Sequence, residues 1–263
     1  MSDTVILTNR IVCRSVLPLM RILFEEKKDD WLFRTLAGVD GTFQFAVKNS
    51  EDGAWLEFSD GECKVNPGVN PDADIAVLFR DQASMNAMFT GGSPGEIGMP
   101  GLKGIWRLRL LLKTLPLLLG RTLLMPDKQP KDEPTRRLKV RLIMYMVANA
   151  LSQLNRGGDA DMVKWTAKQP DRIYQFSVQP GGEPAAYLRV KAGKTKAGRG
   201  VYTRKAPFIH MQFNGIDGAY KVFAENKETV SAMADGDLSL EGSPEYGGVL
   251  GSFMVRISDL LLG

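Results

Sequence analysis

Along this chain the spacing of apolar side chains changes repeatedly, and each change marks an element. From Thr42 to Val47 they alternate, with Phe43, Phe45 and Val47 on one face, the period of a strand. Tyr174, Phe176 and Val178 repeat that alternation in the second half. Upstream, Val12, Val16, Leu19 and Leu23 recur at helical spacing from Val12 to Phe24, Pro18 notwithstanding, and the charged run Glu25 to Asp30 makes a solvated exit. A short helix is predicted around Trp31 to Leu36, with Gly38 and Gly41 punctuating the turn into the first strand. Asp52-Gly53 and Asp60-Gly61 predict tight hairpins, so Ala54 to Phe58 and Glu62 to Val65 continue an antiparallel meander.

Ile75, Val77 and Phe79 mark the next strand, followed by a helix over Gln82 to Phe89. The second half has a longer version of that helix, Asp217 to Met233, with Tyr220, Phe223, Val230 and Met233 predicted to face inward. A last strand (Ile97, Met99; Leu238, Leu240) and an apolar closing helix end each half. This order predicts an α+β fold, with helices over one face of a mostly antiparallel sheet.

The two halves also match residue by residue. Asp30 to Val47 reads DWLFRTLAGVDGTFQFAV, and 131 positions later Asp161 to Val178 reads DMVKWTAKQPDRIYQFSV. Identities fall at Asp30/Asp161, Thr35/Thr166, Asp40/Asp171, Gln44/Gln175, Phe45/Phe176 and Val47/Val178. Downstream, Trp55-Leu56 pairs with Tyr187-Leu188, Ile75 to Phe79 with Ile209 to Phe213, and Gly95 to Gly101 with Gly236 to Gly242. A repeat of this length is a domain. The expected division is 1–125, a linker at 126–137 whose Pro126 to Thr135 stretch is polar and proline-rich, and 138–263 opening on a helix from Leu138 to Leu154.

The chain carries a net charge of +4, concentrated in the second half, and its 44% hydrophobic content is that of a soluble globular protein. No charged n-region followed by an apolar h-region opens it, and the two cysteines, Cys13 and Cys63, lie far apart; a cytoplasmic protein with buried thiols is expected. With one histidine, His210, expected on the outer sheet face, neither a His-based triad nor a His/Cys metal cluster can be assembled. No metal, no cofactor and no catalytic set is expected. Basic residues are not interleaved with stacking aromatics, which argues against nucleic acid.

The order of Val39-Asp-Gly-Thr-Phe-Gln-Phe45, Gly53-Ala-Trp-Leu56, Ala73-Asp-Ile75 and Met233-Ala-Asp-Gly-Asp-Leu-Ser-Leu-Glu-Gly242 resembles the sterol carrier protein 2 family, across Asp30 to Leu119 and again across Asp161 to Leu262. The resemblance implies two domains, each a five-stranded sheet with helices on one face enclosing an apolar cavity for a sterol, acyl chain or other lipid. By that implication Phe45, Phe79, Met85, Met88, Met99 and Leu108 line one cavity. Phe176, Met211, Phe213, Phe223, Met233, Leu240, Leu250 and Phe253 line the other. Methionine adapts to irregular ligands, and it equally fills ordinary cores.

Gly101 to Met125 is cationic without an acidic residue. On a helical wheel Ile105, Leu108, Leu111, Leu112, Leu115, Leu118 and Leu119 share a broad face, while Lys103, Trp106, Arg107, Arg109, Leu110 and Lys113 occupy the other. That second face fits an anionic bilayer, as a peripheral contact, or a protein surface of a neighbouring domain, a second protomer or an enzyme partner. Its cations and Pro116 argue against spanning. The functional expectation is non-enzymatic lipid binding and transfer; the alternative is a scaffold presenting a hydrophobic intermediate, such as a quinone precursor, to an enzyme complex.

Overall fold

The computed structural model describes residues 3–98, 109–114, 130, 132–225 and 227–262, and the chain divides into two compact units, Met1–Thr122 and Leu123–Gly263. The first unit opens with α1 (Asp3–Ile11), passes through a π-helical turn (Val12–Val16) and continues as α2 (Leu19–Lys27). The single helix expected over Val12 to Phe24 is thus corrected. Pro18 has no N–H and its ring crowds the carbonyl one turn back, so the ladder widens and the Leu17 N–H donates to the Val12 carbonyl at 2.9 Å. A third helix, α3 (Trp31–Thr35), starts at Asp30, whose carboxylate accepts from the Leu32 N–H at 3.0 Å.

Strands β1 (Gly41–Val47), β2 (Gly53–Ser59), β3 (Glu62–Pro67), β4 (Ile75–Phe79) and β5 (Ile97–Gly98) form a sheet in the order β3-β2-β1-β4-β5. Helix α4 (Gln82–Thr90) joins β4 to β5, and residues 109–114 are helical (α5). The second unit contains α6 (Glu133–Arg156), α7 (Ala160–Ala167), β6 (Arg172–Gln179), β7 (Ala185–Lys191), β8 (Lys194–Arg199), β9 (Ile209–Asn214), α8 (Gly215–Phe223), α9 (Thr229–Ala234), β10 (Leu238–Gly242) and α10 (Pro244–Leu262). Its sheet order, β10-β9-β6-β7-β8, is that of the first sheet read from the other edge. In each sheet one pair is parallel, β1 with β4 and β6 with β9, and the rest are antiparallel.

The hydrogen-bond registers reproduce the pairing of the two halves. Phe43 stands opposite Leu56 and Ile75; Tyr174 stands opposite Leu188 and Ile209. Phe79 pairs with Ile97 as Phe213 pairs with Leu238. Gln44 and Gln175 do the same work: each buried side-chain oxygen accepts a backbone N–H from the loop after the third strand, from Asn70 and from Tyr202. Asp60-Gly61 and Ala192-Gly193 are equivalent two-residue turns, all four at positive φ, as such hairpins require.

Three further expectations are corrected. The β1–β2 connection is a longer loop over 48–52, and Gly53 belongs to the strand: a Cβ there would lie 2.6 Å from the Phe45 carbonyl oxygen. The 126–137 linker ends early, because Asp132 accepts from the Thr135 N–H at 2.8 Å and Pro134 sits in the first turn, which starts α6 at Glu133. The Asp217 to Met233 helix is two helices, α8 and α9. α8 ends at Phe223 and α9 starts at Thr229, and Lys221 and Lys227 both bond the Asp237 carboxylate, at 2.7 and 2.6 Å.

Candidate functional site

The inner face of the first sheet is apolar from strand to strand. Phe43 and Phe45 on β1, Ala54, Leu56 and Phe58 on β2, Cys63 on β3 and Ile75, Val77 and Phe79 on β4 are all buried on that face. Helices seal it: Phe24 of α2 packs on Phe58 at 5.5 Å and Phe89 of α4 packs edge-on against Phe45 at 5.5 Å. Of the expected lining residues, Phe45, Phe79 and Met85 come together there with 0% exposure, while Met88 is half-buried. Met99 and Leu108 lie outside the described residues.

In the second unit Phe176, Met211, Phe213 and Leu250 are buried in the corresponding layer, with Phe213 and Phe223 rings 4.7 Å apart. Leu240 is half-buried against α10, where a Cβ on Gly247 would meet its methyl at 2.7 Å. Phe253 packs edge-on against Trp165 at 5.5 Å. Met233 does not belong to the lining: it is 40% exposed and Val230 is 69% exposed, because the separate α9 turns Ala232 inward instead.

One end of this second layer holds a group that sequence spacing did not reveal. Trp165, Tyr174, Phe208, Tyr246 and Phe253 form a chain of ring contacts 5.2 to 6.1 Å apart, and the Arg172 guanidinium lies 3.8 Å from the Phe208 ring and 4.5 Å from that of Tyr246. These side chains come from α7, the starts of β6 and β9, and α10, so only the fold assembles them. Burial pushes the Tyr174 phenol up to about 12, which keeps it neutral.

The cationic segment behaves differently from its helical wheel. Lys103, Trp106 and Arg107 lie outside the described residues. Arg109 is exposed. Leu110 and Lys113 are corrected: they are 0% and 2% exposed, and with Thr114 they form the inward i, i+3, i+4 stripe, while Leu112 is 43% exposed. The Lys113 ammonium donates to the Val39 carbonyl at 3.0 Å and lies over the rings of Phe24 and Phe58, which lets a cation occupy an apolar layer. Burial pulls its pKa down against the raising influence of Asp40.

No family model and no curated protein sequence matches the chain. Solved structures similar to it include the sterol carrier protein 2 like 2 of Aedes aegypti, at 14% identity and a TM-score of 0.30, covering 43% of this chain and 97% of that one. Sterol carrier protein 2 of Yarrowia lipolytica in its apo form is similar at 11% identity and a TM-score of 0.31, covering 46% and 93%. A stereoselective inverting sec-alkylsulfatase of Pseudomonas sp. is similar at 15% identity and a TM-score of 0.27, covering 60% of this chain and 27% of the sulfatase.

Burial pushes the Cys13 and Cys63 thiols up to about 12. Among the described residues no group of three or more His, Cys, Asp or Glu side chains could hold a metal ion, and no helix is long and apolar enough to cross a membrane. His210 lies on the outer face of the second sheet, with Nε2 2.7 Å from the Ser177 hydroxyl and Nδ1 3.2 Å from the Gln212 amide nitrogen and 3.7 Å from Glu241. The ring is thus engaged through both nitrogens on that face. Ser177 is moreover 1% exposed. The corresponding positions of the first sheet are Ala46, Ala76 and Leu78, so the fold itself does not need this cluster.

His210 gives a pH test. Burial holds its pKa below the usual histidine value, outweighing the pull of Glu241. The folded state therefore binds its proton less readily than the unfolded chain: the stability tied to the neutral ring is present above about pH 6.5 and is lost as pH falls through the lowered folded value. As the only histidine in the chain, it is expected to dominate any fall of the urea midpoint between about pH 8 and pH 5.5. That fall should flatten in His210→Gln. An identical slope in the variant would show that the ring is free to protonate in place.

Proposed function

We propose that the protein binds and transfers lipid, taking a sterol-like, isoprenoid or acyl ligand between sheet and helices in one or both units without catalysing a reaction. The observation that carries this reading is the pair of sheets with one strand order and matching registers, each presenting a largely apolar inner face to covering helices. This is the architecture implied by the sequence resemblance to the sterol carrier protein 2 family. A ligand burying about 400 Å² of apolar surface gains roughly 10 kcal/mol gross, before the cost of ordering it. Exchange at an anionic bilayer is assigned to the cationic segment through Arg109 and through Lys103, Trp106 and Arg107.

Native mass spectrometry of the purified protein, beside organic extraction of the same sample, tests the reading. A retained lipid of defined mass is expected, and its stoichiometry counts the working units. Empty protein that, after delipidation, still takes up no apolar probe would end the carrier reading; a tightly bound protein partner in that sample would favour the scaffold.

A further inference from the structure

Lys113 places a cation inside the helix–sheet layer of the first unit. The residue is 2% exposed, and among the described residues its ammonium has one hydrogen-bond acceptor, the Val39 carbonyl. Among the described residues, the other two N–H groups have only the ring faces of Phe24 and Phe58, 5.2 and 5.0 Å from the nitrogen. An ammonium carries three donors, and ring faces return only part of the hydration lost on burial. The negative charge of Asp40 acts on it through space, from an exposed side chain.

We propose that Lys113 anchors the carboxylate of a long-chain carboxylic acid bound in the first unit, its two remaining N–H groups donating to the carboxylate oxygens while the chain runs among Phe45, Phe79 and Met85. The inference rests on the lipid-binding reading and names a ligand class for that unit. A monocarboxylate cancels one ammonium charge. A phosphate monoester brings a second negative charge with no second buried cation beside it among the described residues, and a sterol or alcohol hydroxyl offers one neutral oxygen.

The test is displacement of a neutral fluorescent apolar probe from the full chain by palmitic acid, hexadecanol and hexadecyl phosphate at about pH 7.5. Palmitate is expected to bind about tenfold more tightly than hexadecanol, the size of a charge-assisted hydrogen bond, and more tightly than the phosphate. In Lys113→Met, which keeps the stem, the acid-to-alcohol ratio is expected to fall to about one; Lys113→Gln serves where the methionine variant does not fold. A ratio unchanged in the folded variant, no preference for the acid in the wild type, or a preference for the phosphate overturns the assignment while leaving lipid binding standing. Failure of the wild type to bind the neutral probe or any of the three chains overturns both.

Discussion

Replacing Phe213 with alanine is expected to lower the unfolding free energy by about 3 to 5 kcal/mol, one of the two largest losses anticipated for a single substitution. The ring has 0% exposure, sits on β9 between Val178 of β6 and Leu238 of β10, and packs on Phe223 of α8 at 4.7 Å. Deleting it removes contacts to two neighbouring strands and a helix, and strands fixed by ladder hydrogen bonds collapse poorly into the void. Urea unfolding followed by circular dichroism measures the loss. A cost below about 1 kcal/mol would mean that the layer is loosely filled around β9, contrary to the burial of its neighbours. The void also bears on function: it adjoins Met211 and Phe176, so a small apolar compound is expected to restore part of the lost stability by binding only the folded state.

Sheet architecture was legible because two signals agreed. Period-two alternation located the strands, and the internal repeat aligned Ile75 with Ile209 and Ile97 with Leu238; both pairs stand at equivalent registers. Helices were less legible, because their faces are chosen by partners distant in sequence. Charge alone places Lys113 outward, yet the Val39 carbonyl and two phenyl rings, 55 to 89 positions away from it, make burial of its ammonium tolerable. An unbroken helix would turn Val230 and Met233 inward, but the chain leaves the helix after Phe223 and starts a new one at Thr229. The candidate layers were therefore visible as alternating faces, whereas the polar groups within or behind them were not. Arg172 between Phe208 and Tyr246, and Ser177 beside His210, depend on strand pairing across long intervals of sequence.

Gly242→Ala and Gly248→Ala, six residues apart, are expected to act with opposite signs. Gly242 ends β10 opposite Ile209 at φ +109, and a Cβ there would lie 2.3 Å from the Phe208 carbonyl oxygen and 3.0 Å from the Ile209 side chain. The disfavoured backbone alone costs about 1 to 3 kcal/mol, and relief of the clash has to move backbone, since the nearest atom is a carbonyl oxygen. The expected loss is therefore about 3 kcal/mol or more, with the β9–β10 pairing and the approach to α10 both disturbed. Because α10 carries Leu250 and Phe253, the same change should weaken apolar probe binding in the second unit. Gly248 lies within α10, exposed and with nothing within 4 Å of an added Cβ, so alanine there should stabilise by about 0.5 to 1 kcal/mol through helix propensity. Paired urea midpoints measure both. Equal small effects would show that β10 does not hold Gly242 against Ile209, and with it would go the positioning of α10 over the second sheet.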